Sequence, residues 1–129
     1  MPGLIALAIA ALLALASPPG DPAQGIETSA LAASRMEIVV IEAPNCIYCS
    51  LFRRDLLPAY QASPRSRDVP LRFLDLAGLA SSKLALAGAI DVVPTIVVVS
   101  QGVEVGRIPG YASKEIFFHA INCLLSPRQ

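Results

Sequence analysis

Cys46-Ile47-Tyr48-Cys49 is the tetrapeptide with the clearest chemical content in the chain. Two thiols three residues apart at the start of a helix can close a small disulfide ring with little movement. At that end of a helix the unpaired backbone N–H groups and the macrodipole favour a negative sulfur. The first cysteine of such a pair is therefore more acidic than an ordinary thiol, and Cys46 is expected to be a thiolate nucleophile near neutral pH. Cys49, one turn further in, is more sheltered and suits the role of resolving thiol. Two other readings stay open: an inert structural disulfide, or half of a metal site. A closed zinc site takes four N or S ligands, and Cys123 and His119 are the remaining candidates. Copper held by the two thiolates is the metal alternative. The expectation is redox chemistry with no metal, and with no cofactor beyond a Cys46–Cys49 disulfide.

Cys46 can open a helix only if the residues before it end another element. Met36 to Ile41 is apolar and β-branched almost throughout, which predicts a strand covered on both faces. Ala43-Pro44-Asn45 ends it, with Asn45 as the expected N-cap. Cys49, Phe52, Leu56 and Tyr60 then recur at helical spacing, with Arg53, Arg54 and Asp55 between them. Pro58 is expected to kink or end that helix. A loop over Ser63–Asp68 carries Arg65 and Arg67, and Leu71 to Leu76 reads as a second strand. Ser81 or Ser82 is expected to cap a short helix through Ala87, closed by Gly88. Thr95 to Ser100, a turn at Gln101-Gly102 and Glu104 to Ile108 predict a hairpin. Ser113 caps a last helix with Phe117, Ala120, Ile121 and Leu124 on one stripe. The order β-α-β-α-β-β-α predicts an α/β fold: a mixed four-stranded sheet with helices on both faces.

The chain has 129 residues, with 10 basic against 10 acidic side chains, so its formal net charge is zero. That balance gives no electrostatic reason to expect nucleic acid or an anionic membrane surface as partner. One domain fits this length, and a second core does not. The apolar excess lies in residues 1–16, which lack any charged side chain. Leu4 to Ala16 is shorter than the roughly 20 apolar residues of a membrane span. Ala14-Leu15-Ala16 followed by Ser17-Pro18-Pro19-Gly20 reads as a signal peptide cut after Ala16, with an uncleaved anchor as the rival. Residues 17–34 then form a leader, with one or two helical turns expected over Thr28–Ser34, and 35–127 the domain. Export places all three cysteines where disulfides persist, and the odd count leaves at least one thiol unpaired or paired between chains.

Met36 to Cys49, Ile90-Asp91-Val92-Val93-Pro94-Thr95, Gly102-Val103-Glu104-Val105-Gly106 and Gly110 resemble the thioredoxin family across residues 36–125. Cys-Ile-Tyr-Cys, Leu56-Leu57-Pro58-Ala59-Tyr60 and Gly106-Arg107-Ile108-Pro109-Gly110-Tyr111 are most similar to periplasmic thioredoxins of bacterial sulfur-oxidation (Sox) systems. The resemblance implies the thioredoxin fold, with Pro94 in a cis bond beside the two sulfurs. It implies that Val93 offers its backbone N–H and C=O to an extended substrate segment, with Ile47 and Tyr48 at the same surface. It further implies a periplasmic, monomeric thiol–disulfide oxidoreductase that meets protein substrates through a mixed disulfide. A membrane electron donor would re-reduce it, and its substrates would be disulfides or oxidised cysteines of periplasmic proteins, with a sulfur-carrier protein as one candidate. A disulfide oxidase or isomerase, and a non-enzymatic copper-binding module, are the alternatives.

The chain departs from the family in several places. Asn45 stands where thioredoxins commonly carry Trp, and the chain has no Trp. Ile47-Tyr48 replaces Gly-Pro, and Val40 stands where a buried Asp is often found. Glu42 and Asp75, near strand ends, are then the candidate proton relay for Cys49, against the reading of solvated strand ends. Arg53 and Arg54 are expected on a solvated helix face rather than at the Cys46 thiolate. Cys123 is expected to be buried, the alternative being a third open thiol. His119 is expected at the surface.

Overall fold

The computed structural model describes residues 36–126. The expected signal peptide, leader and Thr28–Ser34 turns lie outside these residues. Strands β1 (Met36–Glu42) and β3 (Thr95–Ser100) carry the longest apolar, β-branched runs, and both are central in the sheet, whose order is β2-β1-β3-β4. Central strands are covered on both faces, which is why these two show no polar alternation. β1 pairs in parallel with β2 (Leu71–Asp75), from Ile38↔Leu71 to Glu42↔Asp75. It pairs antiparallel with β3, with Val39 opposite Val97. β3 returns as β4 (Val103–Pro109) through Gln101 and Gly102, whose φ values of 53° and 80° suit a tight hairpin turn.

Alternation along β1 and β3 divides the core in two. Ile38, Val40, Ile96 and Val98 face Phe52, Leu56, Tyr60, Phe117 and Ile121. Val39, Ile41, Val97 and Val99 face Leu74, Leu79, Leu84, Leu86 and Ile90. The first layer is built by two helical runs. One continues through α1 (Ile47–Leu51), a π-helical stretch (Phe52–Leu56) and α2 (Leu57–Ala62). The other is α4 (Lys114–Leu125), capped as expected by Ser113, whose Oγ accepts from the Ile116 N–H at 3.2 Å. Phe52 meets Phe73, Tyr111 and Phe117 edge-on, with centroids 5.5–6.0 Å apart.

Three local expectations change. Pro58 neither ends nor breaks the helical run, because the π-helical stretch leaves it in the first turn of α2, where a missing N–H is tolerated. The Ser63–Asp68 loop contains a one-turn helix, α3 (Arg65–Asp68). The helix expected from Ser81 or Ser82 to Ala87 is absent. A 3-10 helix (Leu76–Ser81) precedes it instead, and Asp75 Oδ1 caps that helix by accepting from the Ala77 N–H at 2.8 Å. The chain beyond runs irregularly, with Ala85 in an isolated bridge to Val103. Leu84 and Leu86 both reach the second core layer, and a spacing of two suits extended backbone rather than a helix. The α/β architecture and mixed four-stranded sheet are as expected, with the 3-10 helix as the helical cover on the second face.

Candidate functional site

The turn from β1 into α1 places both cysteines. Asn45, expected to cap the helix, instead takes φ 59°, a left-handed conformation that Asn tolerates. Cys46 is the N-cap, and its Sγ accepts from the Cys49 N–H at 3.1 Å. Cys46 and Cys49 form a disulfide with Cα atoms 5.2 Å apart. Cys46 is half-buried and Cys49 buried, the asymmetry expected of an attacking and a resolving thiol. In the reduced state the N–H donors at this helix start favour the Cys46 thiolate.

The Val93–Pro94 turn approaches Cys46 through the Val93 carbonyl. The Val93–Pro94 bond is cis, and the Val93 carbonyl oxygen lies 3.6 Å from Cys46 Sγ. Two bonds hold this turn at the start of β3. Thr95 Oγ1 donates to the Val92 carbonyl at 2.6 Å, and the Gly110 N–H donates to the Pro94 carbonyl at 2.8 Å. Ile47, Tyr48 and Val92 stand exposed around the disulfide. A groove of about 540 Å³ runs beside them, lined by Tyr48, Val92, Val93, Pro109, Gly110 and Tyr111. Tyr111 and Pro109 were not singled out as site residues by sequence reasoning. Their signal was the Gly-Arg-Ile-Pro-Gly-Tyr run, whose chemistry depends on β4 ending beside the cis proline.

Behind the disulfide a smaller cavity, about 190 Å³, is lined by Cys46, Cys49, Glu42, Arg53 and Asp75 among others. The two candidate relay carboxylates therefore share one space with Cys49. Glu42 is ion-paired with Arg53, whose Nε donates to Oε2 at 3.0 Å and whose Nη2 contacts Oε1. The Arg53 guanidinium also stacks 3.6 Å above the Phe73 ring. Arg53 is exposed, as expected of a solvated helix face, while its guanidinium covers the Phe73 ring that β2 brings beneath it. Arg54 is exposed as expected and bonds its neighbour Asp55 at 2.7 Å. Asp55 lies below the usual carboxylate range because of that bond.

Cys123 is exposed rather than buried, with its Sγ 4.0 Å from His119 Nε2. Phe117 and Ile121 form the buried side of α4, and Cys123 lies off that stripe; His119 is at the surface as expected. Among the described residues no three His, Cys, Asp or Glu side chains gather as a metal-holding group. No described helix is long and apolar enough to cross a membrane.

A helix-start Cys-x-x-Cys disulfide facing a cis proline that opens an antiparallel hairpin defines the thioredoxin fold in its thiol–disulfide oxidoreductase form. Residues 25–124 match the model of the thioredoxin-like domain, and the chain belongs to that family. Its structure is similar to that of the reduced periplasmic thioredoxin SoxS from Paracoccus pantotrophus, at 27% identity and a TM-score of 0.65. That match covers 70% of this chain and 95% of the other. A poplar thioredoxin h, PtTrxh4, is 20% identical with a TM-score of 0.53, covering 81% of this chain and 92% of that one. Thioredoxin Mala s 13 from Malassezia sympodialis is 14% identical with a TM-score of 0.56, covering 78% and 84%. These last two share the fold alone. No curated protein matches the sequence.

Proposed function

We propose that the protein is exported and works in the periplasm, reducing disulfides or oxidised cysteines of other proteins, a sulfur-carrier protein among them. The contact of 3.6 Å between Cys46 Sγ and the Val93 carbonyl carries this reading, since it places the reactive sulfur beside the backbone edge where an extended substrate can pair. The likeness to a periplasmic thioredoxin supports the compartment. In each cycle the Cys46 thiolate attacks one sulfur of the substrate disulfide, and the other sulfur leaves as a thiolate. Cys49, once deprotonated, attacks Cys46 Sγ in the mixed disulfide, which releases the reduced substrate and closes the Cys46–Cys49 disulfide. The proton leaving Cys49 passes to Glu42 or Asp75 through the cavity they share with it. Val93 and Pro94 hold the substrate backbone, while Ile47 and Tyr48 border its path. The cycle uses the cysteine pair without a metal or added cofactor, in a monomer. A membrane electron donor must restore the dithiol, because the periplasm is kept oxidising.

Trapping tests this function directly. Cys49→Ser keeps the nucleophile and removes the resolving thiol, so the variant exported in its native host is expected to accumulate adducts that a reductant releases. Cys46→Ser is expected to give none, and Cys123→Ser to change nothing on the Cys49→Ser background. Mass spectrometry of the released proteins names the substrates. Absence of adducts from Cys49→Ser, with copper retained by the wild type after dialysis, would replace the enzymatic reading by the copper-binding one.

A further inference from the structure

Residues 82–91, between the 3-10 helix and the cis proline, have no helix to satisfy their backbone, so their polar groups need partners from elsewhere. Two charged side chains on β4 supply them. Glu104 Oε2 accepts from the Ala87 N–H at 2.6 Å. Arg107 donates to the Ala89 carbonyl at 2.8 Å and to the Gly88 carbonyl at 3.1 Å. The same two side chains are joined to each other, Arg107 Nε to Glu104 Oε1 at 2.6 Å and Nη2 to Oε2 at 2.7 Å. The Glu104 side chain is only 5% exposed. Backbone pairing continues the clamp at Ala85, which donates to Gly102 at 2.8 Å and accepts from Glu104 at 2.9 Å. Glu37–Arg72 and Glu42–Arg53 differ from this pair, for the side-chain hydrogen bonds of each run between the two partners and not to a loop backbone.

A partly buried ion pair adds little net stability, because desolvation offsets the attraction, and its stronger effect is to select one conformation. The conformation selected here is that of the loop leading into Val92, Val93 and Pro94. Residues 85–89 lead into that turn, which the Thr95 and Gly110 bonds tie only on its β3 side. We infer that Glu104 and Arg107 are positioning residues for substrate: they pin residues 85–89 to β4 and so set the Val93 edge against which a substrate strand pairs. This rests on the proposed use of Val93 by protein substrates. Arginine suits the task because its fork spans two carbonyls and a carboxylate at once, which a lysine ammonium does not.

The test compares wild type, Arg107→Lys and Glu104→Gln in the reduced full chain. Three readouts are taken: reduction of insulin, reduction of a small aromatic disulfide such as Ellman's reagent, and amide exchange over residues 84–93. Misplacing a binding edge by about 1 Å is enough for a loss on the order of 10- to 100-fold. Both variants are expected to lose kcat/KM on insulin through KM, to keep the wild-type rate on the small disulfide, and to exchange faster over 84–93 than elsewhere. Equal losses on insulin and the small disulfide would overturn the inference, as would unchanged exchange in folded variants. Faster exchange with wild-type insulin kinetics would also overturn it, since the pair would then secure the loop alone. Should both variants fail to fold, the pair is a folding element and the inference falls. Should the wild type leave insulin untouched, the proposed reduction of protein disulfides fails separately, and exchange at Val92 and Val93 alone decides the clamp.

Discussion

Cys46, Cys49 and Cys123 share a side chain and differ in surroundings, which divides their chemistry. Cys49 is buried under the helix start, Cys46 is half-buried at its tip, and Cys123 stands exposed on α4. In the oxidised protein Cys123 is then the one thiol open to alkylation. Maleimide treatment without reductant is expected to label one equivalent, mapping to Cys123 and lost in Cys123→Ser. Absence of label in the native wild type would contradict the exposure of that thiol. The dipeptide between the active cysteines sets a second expectation. Ile47-Tyr48 lacks the Gly-Pro of strongly reducing thioredoxins, and no His between the cysteines favours an extreme oxidant. A reduction potential between about −270 and −120 mV is expected from equilibration with glutathione buffers. A value outside that interval would remove the dipeptide as the cause.

At the scale of elements, the helical run from Ile47 to Ala62 carries the site at one end and its anchor in the middle. Phe52 is fully buried against Phe73, Tyr111 and Phe117, so it ties the helix to β2, α4 and the groove residue Tyr111 together. Phe52→Ala leaves a cavity that three rings from three segments cannot jointly fill. It is expected to cost about 3–5 kcal/mol, read as a lower urea midpoint. A loss under about 1 kcal/mol would mean that the layer collapses around the gap. The π-helical stretch belongs to the same element and permits Pro58 within it. Pro58→Leu is expected to leave the fold and the thiol chemistry unchanged, by circular dichroism and insulin reduction, since the first turn of α2 needs neither the proline nor its missing N–H.

At the scale of the whole molecule, one ion pair, Glu104–Arg107, couples stability to pH. The bond from Arg107 keeps the Glu104 carboxyl below its ordinary value of 4.5, against the opposing effect of burial. With the folded value depressed, the unfolded chain binds more protons as pH falls. This contribution is therefore fully present above about pH 4.5 and is lost as pH drops through the folded value. Glu104→Gln lacks that titration. The stability gap between wild type and Glu104→Gln, from urea unfolding, is expected to be wide at about pH 7 and to narrow towards about pH 3. A gap that stayed constant would show that Glu104 acts by packing and not by charge.

Local patterns in the sequence were enough for the two cysteine positions, the central strands at 36–42 and 95–100, the hairpin at Gln101-Gly102 and the Ser113 cap. Each rests on periodicity or turn chemistry within a few residues, and such signals do not depend on distant partners. The cis bond at Pro94 was legible only through family resemblance, since the residues around a proline do not by themselves select that isomer. Tertiary structure alone decided that Cys46 rather than Asn45 caps the helix, that residues 82–91 run without a helix, and that Cys123 faces outward. It alone brought Arg53 over Phe73 beside Glu42, and tied Glu104 and Arg107 to the backbone of residues 87–89. These outcomes depend on which strand lies beside which and on what remains unsatisfied when the sheet is covered, and hydrophobic period along one chain carries neither quantity.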